Sequence, residues 1–401
     1  MNDPAPTSGS QPGATRRGWS ADDPDDSTSA LAARFRTLAD QDFAGYSPTY
    51  ERIARAIADD PDSLGLLLDA APTGRTPILA LAAVHDIVLG DPQTALAAVY
   101  AGRSDADPWP AFRSLLHDHQ GDVLQRMRTR AIQTNEVGRS AALVPGMAAV
   151  AGAARRAGDE RPLALVEVGT SAGLNLLFDH YSIDYRRDGE MVHRAGPPTS
   201  PVRLDCELRG PHDPPFASHG PTTPVASRLG LDLAPVDVTD DAACRWLRAC
   251  LWPDVSDRAE RLDAAISVAR TDPPHLVEGD AVTELAPTLR ALPAGVLPVV
   301  VATWALAYLG RAGRERLLVS LDEVGATTDL VLLTAEEPSA APWVPGLPAE
   351  VATCGDATGD GTTTVLGART WRAGAATDEA LALCHPHVRW MAWATLTGGP
   401  R

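Results

Sequence analysis

The spacing of the apolar residues changes at Pro162, and this change limits the folds that the chain can adopt. Between residues 29 and 160 apolar side chains recur every three or four positions, which is typical of amphipathic helices. Ser47-Pro48 and Thr76-Pro77 resemble helix starts, and the second of these helices is expected to end at Gly90. No alternating strand pattern interrupts the region. We therefore predict an all-α domain over residues 29–160, placed as a lid.

Beyond Pro162 short apolar runs alternate with helical stretches. The predicted strands are Leu163–Gly169, Leu276–Glu278, Leu297–Thr303 and Leu330–Leu333. The predicted helices are Leu174–Tyr181, Arg258–Arg270 and Arg311–Val324. Strands that alternate with helices favour an α/β fold whose sheet is mostly parallel and has helices on both faces. We predict that this second domain spans residues 161–401.

Two parts of the second domain depart from the alternation. Near the end, Thr363–Trp371 and Val388–Thr395 alternate like strands, with a helical pattern at Thr377–Leu383 between them, so the last strand is expected to be antiparallel. Residues 183–224 are rich in Pro, Gly and Arg and are too long for an ordinary loop. We predict that they form an insertion over the open end of the sheet, with a hairpin as one form that it could take.

The charged residues exclude several functions. All 35 basic residues are arginine, and the absence of lysine removes Schiff-base enzymes, phosphate-loop NTPases and protein kinases. The 52 acidic residues give a net charge of −17, which disfavours nucleic acids and anionic membranes as partners. The expected partner is a small molecule. The sequence does not indicate an oligomeric state.

The remaining features of composition favour a cytoplasmic protein. Residues 1–28 are polar and proline-rich, carry no secretion signal and are predicted to be disordered. The longest apolar runs are about fourteen residues, shorter than a membrane span requires. The five cysteines are scattered and are expected to be free thiols in a reducing compartment. We expect no metal site, because the histidine pairs His117/His119 and His385/His387 lack a third ligand.

The segment from Glu167 to Gly173 carries the clearest functional signal. It reads Glu-Val-Gly-Thr-Ser-Ala-Gly and joins a predicted strand to a predicted helix. A glycine-rich turn at this place lets the backbone approach a nucleotide-like ligand, and the helix start offers unpaired N–H groups. The candidate ligand contacts are Glu167, Gly169, Thr170, Ser171 and Gly173. The alternative is a tight structural turn without a ligand.

Two more acids lie where strands are expected to end. Asp232 follows Leu229-Gly230-Leu231, and Asp280 follows Val277-Glu278-Gly279. A carboxylate beside the first turn can accept hydrogen bonds from ribose hydroxyls, and one after the third strand can accept from an adenine amino group. Each aspartate could instead be a helix cap or a turn residue. Their order behind the glycine-rich turn favours a ligand site.

These motifs resemble the class I S-adenosylmethionine-dependent methyltransferases, which have a Rossmann-like sheet. The resemblance covers about residues 161–401 and implies S-adenosylmethionine as the cofactor. It implies that the glycine-rich turn holds the methionine part, that Asp232 holds the ribose and that Asp280 holds the adenine. Asp232 lies farther from the turn than is usual in that family, and the 183–224 insertion would account for this distance. Asp237 competes with Asp232 as the ribose ligand.

The whole chain also resembles a bacterial family known as domain of unknown function 2332. The residues that carry this resemblance are Gln133–Arg139, Glu167–Leu176 and Trp252-Pro253-Asp254. The first of these segments places polar side chains between two apolar helices. We predict that Asn135, Glu136 and Arg139 bind a polar substrate group, although a simple exposed turn is the alternative.

Three further residues complete the predicted site. Trp304 follows the fourth strand and is placed beside the substrate, because strand ends face the cleft in such sheets. Glu336 or Glu337, after the fifth strand, is the candidate proton acceptor. The predicted reaction is methyl transfer to a small molecule, in which positioning of the reactants supplies most of the catalysis.

Two other functions fit the same residues. The chain could be a binding protein that keeps the sheet and performs no transfer. Less favoured is an α/β-hydrolase, in which Ser171 is the nucleophile, His385 or His387 is the base and Asp329 or Asp356 completes the triad. Only helices precede the first predicted strand, whereas a hydrolase needs several strands there.

Overall fold

The structure, a computed structural model, describes residues 27–70, 76–216, 224–355 and 363–394. The predicted disordered tail lies outside these residues except for Ser27 and Thr28, and so do Asp356 and Thr395. Within the described residues the fold is α/β, with many helices and one large mixed sheet.

Helices make up the part of the described chain before residue 160. They are α1 (Thr28–Leu38), α2 (Pro48–Ala58), α3 (Pro61–Leu68), α4 (Pro77–Gly90), α5 (Ala95–Tyr100), α6 (Pro108–Asp118), α7 (Gln120–Thr129) and α8 (Ser140–Arg156). A π-helical turn follows α1 (Ala39–Phe43), and a 3₁₀ turn precedes α8 (Val137–Arg139). As predicted, α4 starts at Thr76-Pro77 and ends at Gly90, and the Thr76 hydroxyl accepts from Leu79 N at 3.3 Å.

The helices divide between two hydrophobic cores. Helices α1 to α7 bury their apolar faces against one another, and Trp246 and Ala249 from a later helix join this core. Helix α8 instead packs on the sheet, where a Cβ on its Gly146 would lie 3.1 Å from Leu333. The segment Val137–Arg156 is 20 residues long with a mean hydropathy of 1.3, which is enough to cross a membrane, but 78% of its apolar window is buried within the protein. The predicted domain boundary at residue 160 stays a prediction.

Eleven strands of the described residues form one sheet. They are β1 (Leu163–Val168), β2 (Ser182–Arg187), β3 (Glu190–Ala195), β4 (Arg203–Arg209), β5 (Val225–Asp232), β6 (His275–Glu278), β7 (Leu297–Thr303), β8 (Leu330–Glu336), β9 (Thr364–Arg372), β10 (Ala375–Cys384) and β11 (Trp390–Trp393). Their order is β3-β2-β4-β11-β10-β9-β8-β7-β1-β5-β6. Six of the ten neighbouring pairs are parallel, as the sequence predicted for most of the sheet.

The parallel half consists of β6, β5, β1, β7 and β8. Its connections contain α9 (Asp241–Ala249), α10 (Ser256–Thr271), α11 (Ala281–Ala291) and α12 (Gly310–Gly325). All six residues of β1 are buried between β5 and β7. Because these strands are parallel, their carboxyl ends meet at one edge of the sheet, which we call the carboxyl edge.

The last part of the chain differs from the prediction. Thr377–Leu383 is not a helix, because it lies inside β10, which pairs antiparallel with β9 and β11. Pairing along both sides of this segment overrides its helical residue pattern. The final strand is antiparallel to β10, as expected, and it is also parallel to β4.

The 183–224 segment does not cover the open end of the sheet. It contains strands that extend the sheet beside β11, and β2 and β3 form the expected hairpin. A bulge between Tyr185 and Arg186 shifts the register of that hairpin. The remaining short elements are α13 (Ala349–Ala352) and the 3₁₀ turns Leu174–His180 and Leu306–Leu309; the first of these turns replaces the predicted helix 174–181.

Candidate functional site

The turn after β1 bonds its own amides within the protein. The N–H groups of Gly169 and Thr170 donate to Leu231 O at 2.9 and 3.3 Å, and Ser171 N donates to Asp232 Oδ2 at 2.8 Å. Gly173 N donates to Thr170 O at 2.8 Å. The expectation of bare amides at this turn is therefore wrong for these four residues, since β5 and the turn itself satisfy them.

The two glycines of the turn are explained by close packing. Both have a positive φ, +68° for Gly169 and +70° for Gly173, which favours glycine. A Cβ on Gly169 would lie 2.7 Å from the Cβ of Ala305, and one on Gly173 would lie 2.6 Å from Pro274. Gly169 is nevertheless exposed on its other side, so its backbone remains open at the carboxyl edge.

Glu167 lies beneath the turn and does not reach its surface. Its side chain is 2% exposed, and the Thr170 hydroxyl donates to its Oε2 at 2.7 Å. Burial raises the pKa of Glu167 to about 8, and the charge of Asp232 acts in the same direction. The carboxyl group is therefore mostly protonated at neutral pH, and it supports the shape of the turn.

Ser171 has a strained backbone at the centre of the site. Its φ of +53° is uncommon for a residue with a side chain, and the residue is 4% exposed. Its Oγ accepts a hydrogen bond from Asn135 Nδ2, which joins the helical region to the turn. The amide of Asn135 thus holds the oxygen that the hydrolase hypothesis would require to bond with a histidine.

The predicted ribose and adenine acids lie at the carboxyl edge, on neighbouring strands. Asp232 ends β5 and pairs in register with Glu278 of β6, two residues before Asp280. The Asp232 carboxylate accepts from Ser171 N and, at 2.9 Å, from Ala234 N. Asp280 is exposed and caps α11 by accepting from Val282 N at 2.9 Å. Asp237 is exposed and binds its own neighbour Thr239.

The Gln133–Arg139 segment crosses the carboxyl edge from β5 to β7. Gln133 Nε2 donates to Ala234 O at 3.1 Å, behind Asp232. Asn135 lies at Ser171, and Arg139 Nη1 donates to Thr303 O at 3.0 Å, at the end of β7. The segment therefore contacts the ends of three neighbouring strands, which the functional prediction for it requires and an exposed turn would not explain.

Glu136 is the centre of a buried charge cluster. It is 2% exposed; its Oε2 lies 2.8 Å from Arg258 Nε and 2.9 Å from His387 Nδ1, and its Oε1 accepts from Gly138 N at 3.0 Å. The two charge contacts have distances, but not angles, of hydrogen bonds. Burial raises the pKa of Glu136, but the Arg258 and His387 contacts outweigh it and hold this pKa well below its usual range.

Arg139 and Trp304 form the second part of the cluster. Arg139 is 6% exposed, and its Cζ lies 5.8 Å from the centre of the Trp304 ring. Trp304 has a φ of +54°, and its Nε1 donates to Thr364 at 2.8 Å. Burial lowers the pKa of Arg139, although nearby Glu136 and Glu336 oppose the shift.

Glu336 and Glu337 occupy different environments. Glu336 is fully buried at the end of β8, where its Oε1 accepts from Ala305 N at 2.7 Å and Leu306 N at 2.9 Å. Its Oε2 is buried without a partner among the described residues. Burial raises the pKa of Glu336 to about 7. Glu337 is partly exposed and accepts from Ser339 at 2.6 Å.

Three strained residues lie at or next to the contacts of the 133–139 segment, one of them at Asn135 and two near Arg139. Two of the five non-glycine residues with positive φ in the described chain, Asp188 and Ala373, lie in hairpin turns. The other three are Ser171, Trp304 and Val388. Arg139 contacts Trp304 and also donates to Pro386 O at 3.4 Å, two residues before Val388. Such strain at one place favours a functional site, because surrounding structure must maintain it at a cost of about 1–3 kcal/mol per residue.

Sequence reasoning missed Arg258 and the partnership of His387 with Glu136. The sequence predicts only a helix around Arg258, but this residue lies four and seven positions before the buried Leu262 and Ala265, so its register on α10 is the signal that could have found it. The histidine pairs do not assemble with other metal-binding side chains in the described ranges, where no group of three or more such side chains occurs. The Nε2 atom of His117, from the first pair, lies 3.2 Å from the Ser63 hydroxyl.

Comparison with known protein families identifies a family whose description states no activity. The family model described as "Uncharacterized protein conserved in bacteria (DUF2332)" matches residues 32–393. No curated protein matches the chain.

Proposed function

Because the chain belongs to the bacterial family DUF2332, whose description names no reaction, we propose from the site alone that it is an S-adenosylmethionine-dependent methyltransferase acting on a small molecule. Its sheet is consistent with a Rossmann-like fold in the order β6-β5-β1-β7-β8. The proposed binding site lies at the carboxyl edge of these five strands.

The single observation that carries the proposal is the position of Asp232 and Asp280. They follow two neighbouring parallel strands, next to the exposed backbone of Gly169. Leu233, directly after Asp232, is 72% exposed and offers an apolar surface next to the first of these acids. Acids beside an exposed apolar side chain suit a nucleoside, which combines hydroxyl and amino donors with a flat apolar base.

The residues fit the two ends of the cofactor unequally. Asp232 would accept from the ribose and Asp280 from the adenine, because each carboxylate oxygen can accept more than one hydrogen bond. The amides of the turn do not fit an anionic group, since those of residues 169, 170, 171 and 173 are already bonded. When bound, S-adenosylmethionine would supply an activated methyl group on its sulfonium sulfur.

The buried cluster would then face the acceptor. Asn135 and Arg139 hold the 133–139 segment over the ends of β1 and β7 and would exclude water there. Glu336, whose pKa is raised to about 7, is the candidate group that takes a proton from the acceptor. Glu136 would contribute through the positions of Arg258 and His387, which already bind it.

Calorimetric titration with S-adenosylmethionine tests the donor site. We expect binding by the wild type and at least about tenfold weaker binding by D232N, because asparagine removes the negative charge and half of the acceptor capacity. D237N is the matched control, since this exposed aspartate is the competing ribose ligand and should be dispensable. The proposal fails if the wild type does not bind the donor, whereas loss of binding in D237N alone would assign the ribose contact to Asp237 in place of Asp232.

A non-catalytic binding protein is the second candidate. The burial of Glu336 Oε2 favours it, because a carboxylate oxygen that is buried in this way takes a proton from a substrate only if the residues around it move. Incubation with radiolabelled donor and a panel of small acceptors separates the two candidates. Transfer of label supports the enzyme, whereas donor binding without transfer supports the binding protein. Fluorophosphonate labelling of Ser171 would favour the hydrolase over both.

A further inference from the structure

Arg139 is a buried cation without a dedicated counter-ion. Its Nε and Nη1 donate to the carbonyl oxygens of Pro386 and Thr303, and it forms no ion pair with a described carboxylate. Its Nη2 makes no hydrogen bond within the described residues. This nitrogen is not fully buried and keeps some contact with solvent. A guanidinium nitrogen left in this way can still donate two hydrogen bonds.

The acids around Arg139 do not neutralise it. Glu136 is the nearest in sequence, but its charge is matched by Arg258 at 2.8 Å. Glu336 directs Oε1 at two backbone amides. Burying an unpaired guanidinium is costly, and Trp304, which lies against this one, has a strained φ. An anionic group of a bound ligand would pair with the Arg139 guanidinium and offset the cost of burying it.

We propose that Arg139 binds a carboxylate group of the acceptor molecule, beside the ring of Trp304. The assignment of the carboxylate to the methyl acceptor rests on the proposed methyltransferase function. The binding of a carboxylate by Arg139 does not depend on that function. Arginine binds planar carboxylates well because its N–H groups match the two oxygens. A singly charged carboxylate fits better than a phosphate, since Glu136 and Glu336 would repel a second negative charge. The half-buried Trp304 ring adds an apolar face that suits an aromatic or aliphatic body on the same molecule.

The test compares carboxylic acids with their primary amides in the absence of the methyl donor. The probes are acetate and acetamide, benzoate and benzamide, and indole-3-acetate and its amide, measured by ligand-observed NMR titration. For at least one pair we expect the acid to bind tenfold or more tightly than the amide. The proposal is overturned if no pair shows this preference in the wild type.

Variants then locate the preference. R139Q should abolish it, and R139K, which keeps the charge but loses the planar donor array, should keep part of it. R311Q is the matched control, because Arg311 is exposed and pairs only with Glu315. Thermal unfolding checks that each variant folds; if R139Q does not fold, R139K decides. A preference that is as large in the folded Arg139 variant as in the wild type overturns the proposal.

One more variant separates this inference from the donor site. D232N should lose affinity for S-adenosylmethionine and keep the preference for acids over amides. If R139Q weakens donor binding as strongly as D232N does, the carboxylate that Arg139 meets belongs to the donor and the proposal is wrong. Failure of the wild type to bind the donor, with the acid preference intact, would overturn only the methyltransferase function.

Discussion

The two halves of the carboxyl edge use the same kinds of residue in opposite ways. At the ends of β5 and β6, Asp232 and Asp280 lie near the surface, and the hydrogen bonds that they accept within the described residues come from backbone amides. On the other side, Glu136 of the segment that reaches β7 and Glu336 at the end of β8 are buried, and their pKa values are shifted in opposite directions. Exposed acids can accept hydrogen bonds from a ligand. Buried acids need fixed charged or hydrogen-bonding partners within the protein.

The largest expected effect concerns the buried charge cluster. E136Q should reduce the free energy of unfolding by about 3–5 kcal/mol, because it leaves the buried Arg258 without its counter-charge. Urea denaturation measures this loss. The matched variant at the exposed half is D280N, in which asparagine can still cap α11, and it should unfold almost like the wild type. Equal losses in the two variants would remove the contrast between the halves.

The next effect tests whether Gly169 serves packing. G169A should destabilise the protein by about 1–3 kcal/mol, because the new Cβ meets Ala305 and the φ of +68° is unfavourable for alanine. Adding A305G should restore part of the loss by removing the clash. G121A is the control, since a Cβ added at that helical position would have no side chain or other element of the described residues within 4 Å. If A305G restores no stability while G169A still impairs donor binding, the glycine serves the ligand more than the packing.

The smallest effect is a change in the pH dependence of stability. The raised pKa of Glu167, about 8, means that the folded state holds a proton that the unfolded state releases near its ordinary pKa. This contribution is fully present below the unfolded pKa and is lost as the pH rises through about 8. E167Q should therefore gain stability relative to the wild type between pH 5 and 8, by at most about 1.4 kcal/mol per pH unit.

Chemical denaturation at several pH values measures the difference between the two proteins. E323Q provides the control, because Glu323 is exposed on α12 and should leave the wild-type profile unchanged. If the free energy of unfolding changes with pH in the same way in E167Q and the wild type, Glu167 is ionised in the folded protein. Glu167 would then behave like the exposed acids Asp232 and Asp280.

Much of the sheet could be predicted from local patterns. β7 coincides with the predicted strand Leu297–Thr303, and β9 differs by one residue at each end from Thr363–Trp371. A buried strand needs a short apolar run bounded by turn residues, and this signal is local. Thr377–Leu383 was mistaken for a helix because its pattern is helical in isolation, and only pairing with β9 and β11 makes it a strand.

The sequence by itself determined where β7 lies and that Asp232 stands at a strand end, because such ends follow from apolar runs and turn residues nearby in the chain, whereas β8 runs three residues past its predicted end. Only the tertiary structure decided what those residues bind. Asp232 meets the amide of Ser171, and Glu136 meets Arg258 and His387, across long separations in the chain. Such partners depend on the order of strands in the sheet, and that order is a property of the whole fold that no local pattern records.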